Sequence, residues 1–185
     1  ANGHLATMSS IVGGGLNSLI VTLSACSTQT ISVDTVFSGT VCGAVWNGGS
    51  LSITSSGYIA GSSAAAILNS GNSVGTLTNH GIIAGAYHSG ILNTIGTIAT
   101  IINASDGVIN GGSSGIFNYS GRIGTISNSG TISGYNGIYN FNGSIDAINN
   151  SGKIIAHHGL YNDSGASIGT ITNSGTISSS GSGAG

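Results

Sequence analysis

Charge is the scarcest property of this sequence. Only 3% of its 185 residues are charged, whereas a typical soluble domain has about 25%. The net charge is −2, and Arg122 and Lys153 are the only permanently cationic side chains. Nucleic-acid binding requires a basic surface, so we expect no nucleic-acid partner. Disordered chains are usually rich in charge and poor in Ile and Val, so the composition also argues against disorder.

Proline, long apolar runs and cysteine are also absent or rare. Proline does not occur, which suits strands that are paired on both sides because every backbone N–H can then donate. No apolar run approaches the roughly 20 residues of a membrane-spanning helix. Cys26 and Cys42 are the only cysteines. In an exported chain they predict one disulfide, and two free buried thiols are the alternative.

Groups for catalysis are few and scattered. The four Asp residues fall at different positions of the repeat described below, so no carboxylate pair recurs. The calcium-binding signature Gly-Gly-x-Gly-x-Asp does not occur. His157 and His158 have only Asp163 nearby in the repeat, which favours a polar corner over a metal site. We therefore expect no catalytic residue, no metal and no cofactor, and a protein that is not an enzyme.

The abundant residues, Ile, Gly, Asn, Ser and Thr, form an internal repeat of 22 to 25 residues. Its consensus is I-x-T-I-x-N-x-G-x-I-x-G, a turn, G-I-x-N, a turn, and G-x-I. The first aliphatic column is Ile53, Leu77, Ile101, Ile126, Ile148 and Ile171. The second is Ile59, Ile83, Ile109, Ile132, Ile154 and Ile177; the third is Val45, Ile67, Ile91, Ile116, Ile138 and Leu160; the fourth is Val74, Ile98, Ile123, Ile145 and Ile168. About six copies at this period indicate a solenoid.

Strands, not helices, fit the segments within each copy. Gly, Asn or Ser interrupts the chain every five to seven residues, which is too short for a stable helix. Between interruptions the residues are β-branched, and inward aliphatics alternate with other side chains. We therefore predict an all-β, parallel β-helix of about six coils, each with three strands and 22–25 residues.

Asparagine recurs two residues after an inward aliphatic, so by strand parity it should point into the tube. One file is Asn79, Asn103, Asn128, Asn150 and Asn173, with Ser55 one coil earlier; the other is Asn47, Asn69, Asn93, Asn118, Asn140 and Asn162. An unpaired buried amide costs a few kcal/mol, but stacked amides can bond each other and the turn backbone. We predict interior ladders, against the simpler explanation that Asn favours turns.

The residue after each third-column aliphatic should face outward. These residues are Trp46, Leu68, Leu92, Phe117, Tyr139 and Tyr161. A line of large apolar side chains on a surface often marks a partner site; the alternative is that a loop or cap covers them. Outward Thr residues also flank the first column, as on ice-binding solenoids, but Ala147 and Asn149 interrupt that array.

The pattern divides the chain into three parts. Residues 1–43 do not match the repeat, and we interpret them as an N-terminal cap that Cys26 and Cys42 pin to the first coil. Residues 44–178 are the coils. Residues 179–185, rich in Ser and Gly, resemble a linker.

The stretches "GTLTNHGIIAG" (75–85), "GTISNSGTISGYNGIYN" (124–140), "INNSGKIIAHHGLYN" (148–162) and "GTITNSGTIS" (169–178) resemble the β-helical stalks of Gram-negative autotransporter passengers. The resemblance implies a right-handed β-helix, displayed at the cell surface and anchored through the outer membrane by its own C-terminal translocator barrel, which this chain does not include. It also implies adhesion, self-association and biofilm formation.

We therefore expect a non-enzymatic surface module that adheres or self-associates through the outward apolar stripe. The expected partner is a host surface protein, a glycan, or a second copy. Two alternatives stay open: a purely structural stalk that presents another domain, and a carbohydrate-binding or carbohydrate-active β-helix.

Overall fold

The computed structural model describes residues 19–21 and 28–181. They form a parallel β-solenoid of about six turns, in which equivalent positions lie about 23 residues apart. Every strand pairing is parallel, as expected when each coil returns to lie over the one before it. The predicted fold class is confirmed.

Three faces make up the wall, with strands numbered β1 to β20 in chain order. Face one is an eight-stranded sheet of β1 (Leu19–Val21), β3 (Thr35–Phe37), β6 (Leu51–Ile53), β9 (Ser73–Asn79), β12 (Thr97–Asn103), β15 (Arg122–Asn128), β17 (Ser144–Asn150) and β19 (Ser167–Asn173). Face two holds β4 (Thr40–Val41), β7 (Tyr58–Gly61), β10 (Ile82–Gly85), β13 (Val108–Gly111) and β20 (Thr176–Ser179). Face three holds β2 (Gln29–Ile31), β5 (Ala44–Trp46), β8 (Ile67–Ser70), β11 (Ile91–Thr94) and β14 (Ser114–Tyr119).

Two long strands join faces two and three. β16 (Thr131–Phe141) and β18 (Lys153–Asp163) each continue around the corner between them. His157 and His158, expected in a turn, therefore lie within β18. In the earlier coils the strands of faces two and three are separate at this corner.

The aliphatic columns stack in register through the interior. Ile101, Ile126 and Ile148 pair one above the other on face one, and none of the three is exposed to solvent. The second column pairs from Ile59 to Ile177. Burying one such side chain contributes about 1.5–3 kcal/mol, so the repeated columns supply most of the apolar stabilisation of the tube.

Two columns begin differently from the prediction. On face one, Leu51 rather than Ile53 pairs with Leu77, and Ile53 pairs with Asn79. Ser55, predicted to match Asn79, is exposed.

On face three the register differs by one residue from the prediction. Ala44 pairs with Ile67, and Val45 pairs with the outward Leu68. Ala44 is buried and Val45 is partly exposed, so the inward member of the third column here is Ala44.

Coil strands also occur before residue 44. β2, β3 and β4 pair in parallel with β5, β6 and β7, although only 15 to 18 residues separate the paired positions there. Part of the predicted 1–43 cap therefore pairs like a coil. Residues 1–18, 22–27 and 182–185 lie outside the described residues, and so does Cys26, so its disulfide to Cys42 stays a prediction.

Candidate functional site: an exposed aromatic patch

Two files of asparagine run through the interior of the regular coils as hydrogen-bonded ladders. In each ladder the Nδ2 of one Asn donates to the Oδ1 of the Asn in the next coil, over 2.7 to 2.9 Å. One ladder runs from Asn79 to Asn173, and the other runs from Asn69 to Asn162. Their central members are buried.

The ladder amides from Asn69 to Asn162 also donate to the backbone of a corner. Asn93 Nδ2, for example, donates to the carbonyls of Gly96 and Arg122. A Cβ atom at Gly121 would lie 2.4 Å from Asn93 Nδ2, so a larger residue does not fit there. The ladders therefore satisfy the buried amides and fix glycine at this corner.

Asn47 and Trp46 were predicted on the wrong sides of the wall. Asn47 is exposed and outside the ladder, whereas Trp46 is fully buried and not part of the outward stripe. The one-residue register difference of β5 explains both changes, because a shift of one residue exchanges the faces of a strand.

Trp46 takes over part of the role of the ladder at this level. Its register position is equivalent to that of Asn69. The indole Nε1 donates to the carbonyls of Gly48 and Gly49, at 3.0 and 3.2 Å. Asn69 Oδ1 is buried and accepts no hydrogen bond from the described residues, because an indole rather than an amide precedes it.

The outward stripe on face three runs through five coils beyond its corrected start. Val45, Leu68, Leu92, Phe117, Tyr139 and Tyr161 are paired in that order. The ring centroids of Phe117 and Tyr139 lie 4.7 Å apart with planes at 3°, and those of Tyr139 and Tyr161 lie 4.9 Å apart at 28°. The last three members therefore form a stack of rings.

More rings join this stack on both sides. Tyr119 and Phe141 stack on each other at 5.5 Å, two residues along from Phe117 and Tyr139. Across the β16–β18 corner, Tyr135 stacks on His157 at 4.5 Å. We call the combined surface the aromatic patch; it consists of Phe117, Tyr119, Tyr135, Tyr139, Phe141, His157, His158 and Tyr161.

Stacking between neighbouring coils covers one or both faces of the rings in these pairs. Tyr119, Tyr135 and Tyr161 remain 42%, 53% and 41% exposed. A flat platform for stacking sugar rings would need free faces, so the arrangement is better suited to apolar contact along the edges.

Asp163 is the carboxylate beside the stack. Burial first, then the charge of Asp163 and the neighbouring Tyr161, and a hydrogen bond to Asp163 raise the pKa of Tyr139 above its ordinary value of 10.0. Each of these influences favours the neutral phenol. The middle of the stack therefore stays uncharged at neutral pH.

Sequence reasoning identified one file of this patch and missed the rest. Tyr119 and Phe141 follow the stripe residues Phe117 and Tyr139 by two positions, and strand parity alone could have placed them on the same side. Tyr135 and His157 could not be found in this way, because a turn was expected where β16 and β18 continue.

Among the described residues, no helix is long and apolar enough to cross a membrane. In the same part of the chain, no three His, Cys, Asp or Glu side chains are grouped so that they could hold a metal ion. No family model, curated protein or solved structure matches this chain. The chain is thus characterised by its architecture, a parallel β-solenoid of about six turns with an aromatic patch on its outer wall.

Proposed function

We propose that this protein is a non-enzymatic module of a cell-surface passenger that mediates adhesion or self-association through the aromatic patch. The observation that carries the proposal is the patch itself: eight rings that are joined by ring contacts into one continuous network on the outer wall of the solenoid. Contiguous apolar surface of this kind marks interaction sites more often than scattered exposed residues do.

Charge favours a second copy as the partner. The net charge of the whole chain is only −2, so two copies repel each other little. Asp163 is the only charged side chain in the two outward files of face three. The same surface on two molecules can meet about a two-fold axis, in an isologous contact.

The size of the surface implies a weak contact. Adjacent coils are about 4.8 Å apart, so a stripe of six residues is about 24 Å long. Together with the second outward file, it covers an area well below the roughly 800 Å² that each partner contributes to a stable interface. Many copies on two facing surfaces would compensate through multivalency, as adhesion between cells requires.

The direct test is aggregation of beads that carry the chain. Replacing Phe117 and Tyr139 together, Phe117→Ser and Tyr139→Ser, removes the centre of the patch while leaving the buried columns intact. We expect aggregation to fall at least tenfold.

The matched control removes two exposed apolar side chains on other faces. Ile102 and Ile155 are 37% and 45% exposed, on faces one and two. Aggregation should be unchanged in the variant Ile102→Ser with Ile155→Ser. Equal aggregation by the patch variant and the wild type would contradict the proposal and favour a purely structural stalk.

A further inference from the structure

Two histidines in the aromatic patch are hydrogen-bonded to each other. His157 Nδ1 and His158 Nε2 lie 3.1 Å apart, so one ring donates its N–H and the other accepts. Both rings are only partly exposed. A neutral imidazole has one donor and one acceptor, so this contact requires at least one of the two rings to be neutral.

The pair is held between tyrosines. His157 stacks on Tyr135 at 4.5 Å, and His158 stacks on Tyr161 at 5.4 Å. The pair therefore connects the corner ring Tyr135 with the stacked file on face three. A change in the charge of the pair is therefore a change within the patch.

Protonation acts on this pair in two steps. After one protonation, one ring is an imidazolium, and a single N–H to N hydrogen bond still joins it to the neutral imidazole. A second protonation leaves two N–H groups facing each other with no acceptor between them. The two positive charges also repel each other. Both steps put positive charge among the aromatic rings of the patch.

We propose that the His157–His158 pair makes self-association through the aromatic patch sensitive to acid. This inference rests on the proposed function. With the pair neutral, a second copy can cover the two histidines without burying a cation, and Asp163 is the one charge beside the stack. With the pair protonated, the contact must desolvate a cation, and in an isologous contact it brings like charges together. Association is therefore expected to be stronger at pH 8 than at pH 5.

On the described strands packed against the pair, no other side chain ordinarily changes its charge between pH 5 and 8. β16 contributes Tyr135 and Tyr139, and β20 contributes no titratable side chain. Besides the pair, the titratable side chains of β18 are Lys153 at one end of the strand and Tyr161 and Asp163 at the other. Histidine is the side chain whose charge ordinarily changes between pH 5 and 8.

The experiment measures the dissociation constant for self-association of the chain at pH 8 and pH 5, by sedimentation velocity. In the wild type we expect the constant to rise at least tenfold at pH 5. In the double variant His157→Gln with His158→Gln, association should persist and should be the same at both pH values. The matched control His88→Gln changes a single exposed histidine outside the patch and should keep the wild-type pH dependence.

The outcomes separate the two proposals. Association at pH 8 that does not change at pH 5, or that weakens equally in the double variant, overturns the acid sensitivity and leaves the proposed function standing. No association at either pH overturns both. In parallel, the NMR signals of the Tyr135 and Tyr161 rings are followed against pH in the wild type; shifts that do not accompany the loss of association would also overturn the inference, without depending on the variant.

Discussion

The N-terminal turn and the regular turns enclose interiors of different size, and different side chains fill them. Between β3 and β6, 16 residues separate the paired positions Thr35 and Leu51. Between β12 and β15 the separation of ladder residues is 25. The shorter turn has less perimeter and holds Phe37 and Trp46, both almost fully buried. The longer turns hold isoleucine columns and two asparagine ladders.

The corners of the N-terminal turn and of the regular coils also differ in which residues adopt positive φ angles. Positive φ angles before the ladders belong to glycine, at Gly43 and Gly49. A Cβ atom at Gly49 would lie 2.3 Å from the Val33 carbonyl carbon. In the regular coils the residues with positive φ include Ile95, Ser120 and Asn142, so these positions have room for a side chain, although the glycine that follows Ser120 does not. The narrow turn is therefore filled by aromatic rings, and the longer coils are filled by aliphatic columns and asparagine ladders.

The largest expected effect comes from removing the aromatic filler of the short turn. Trp46→Ala deletes a fully buried ring and the two hydrogen bonds of its indole, so we expect the free energy of unfolding to fall by about 3–5 kcal/mol. Urea-induced unfolding measures this. A change below 1 kcal/mol would show that Trp46 is not needed to fill the narrow end.

The next largest loss of stability is expected when an asparagine ladder of the regular coils is broken. Asn128→Ala leaves Asn103 Nδ2 without its amide acceptor and removes three donations by Asn128 Nδ2. The free energy of unfolding should fall by about 1–3 kcal/mol. Asn149→Ala, at an exposed position on the neighbouring strand β17, is the control and should have almost no effect. Equal effects of the two variants would contradict the ladder.

A smaller effect of opposite sign is expected at a strained corner. Ile95 is β-branched, has φ of 61° and is 71% exposed, a conformation that costs about 1–3 kcal/mol. Ile95→Gly removes the strain but adds unfolded-state freedom of about 0.5–1 kcal/mol, so we expect stability to rise by about 1 kcal/mol. Ile102→Gly, on an extended strand, should lower it. Loss of stability in both variants would show that the corner tolerates isoleucine without strain.

The smallest effect is a pH dependence of stability in alkali. The pKa of Tyr139 is raised in the folded protein, so the folded state keeps its proton where the unfolded chain begins to release it. This contribution is complete below about pH 10 and is lost as the pH rises through the folded pKa. Thermal unfolding across this range should show a steeper loss for the wild type than for Tyr139→Phe. Parallel curves would count against the raised pKa.

Much of the structure of the regular coils could be predicted from the sequence repeat. Ile, Asn and Gly recur at matching intervals from Ile67 onward, and stacking like on like is the only arrangement that satisfies all columns together. For these coils the pattern therefore predicted the inward aliphatics, the ladder asparagines and the outward file of Leu92, Phe117 and Tyr139. The alternation of strand side chains is enough to assign each to a face.

Only the tertiary structure decided the register of the narrow turn, and with it the positions of Trp46 and Asn47. There the interval shortens, the repeat no longer aligns itself, and a shift of one residue exchanges inside and outside. The patch likewise depends on how β16 and β18 pass the corner, because contact between Tyr135 and the two histidines comes from stacking of coils. When coils are equal in length, a sequence repeat determines which residues stack on one another. Where the coil length changes, the register depends on the packing of the whole interior.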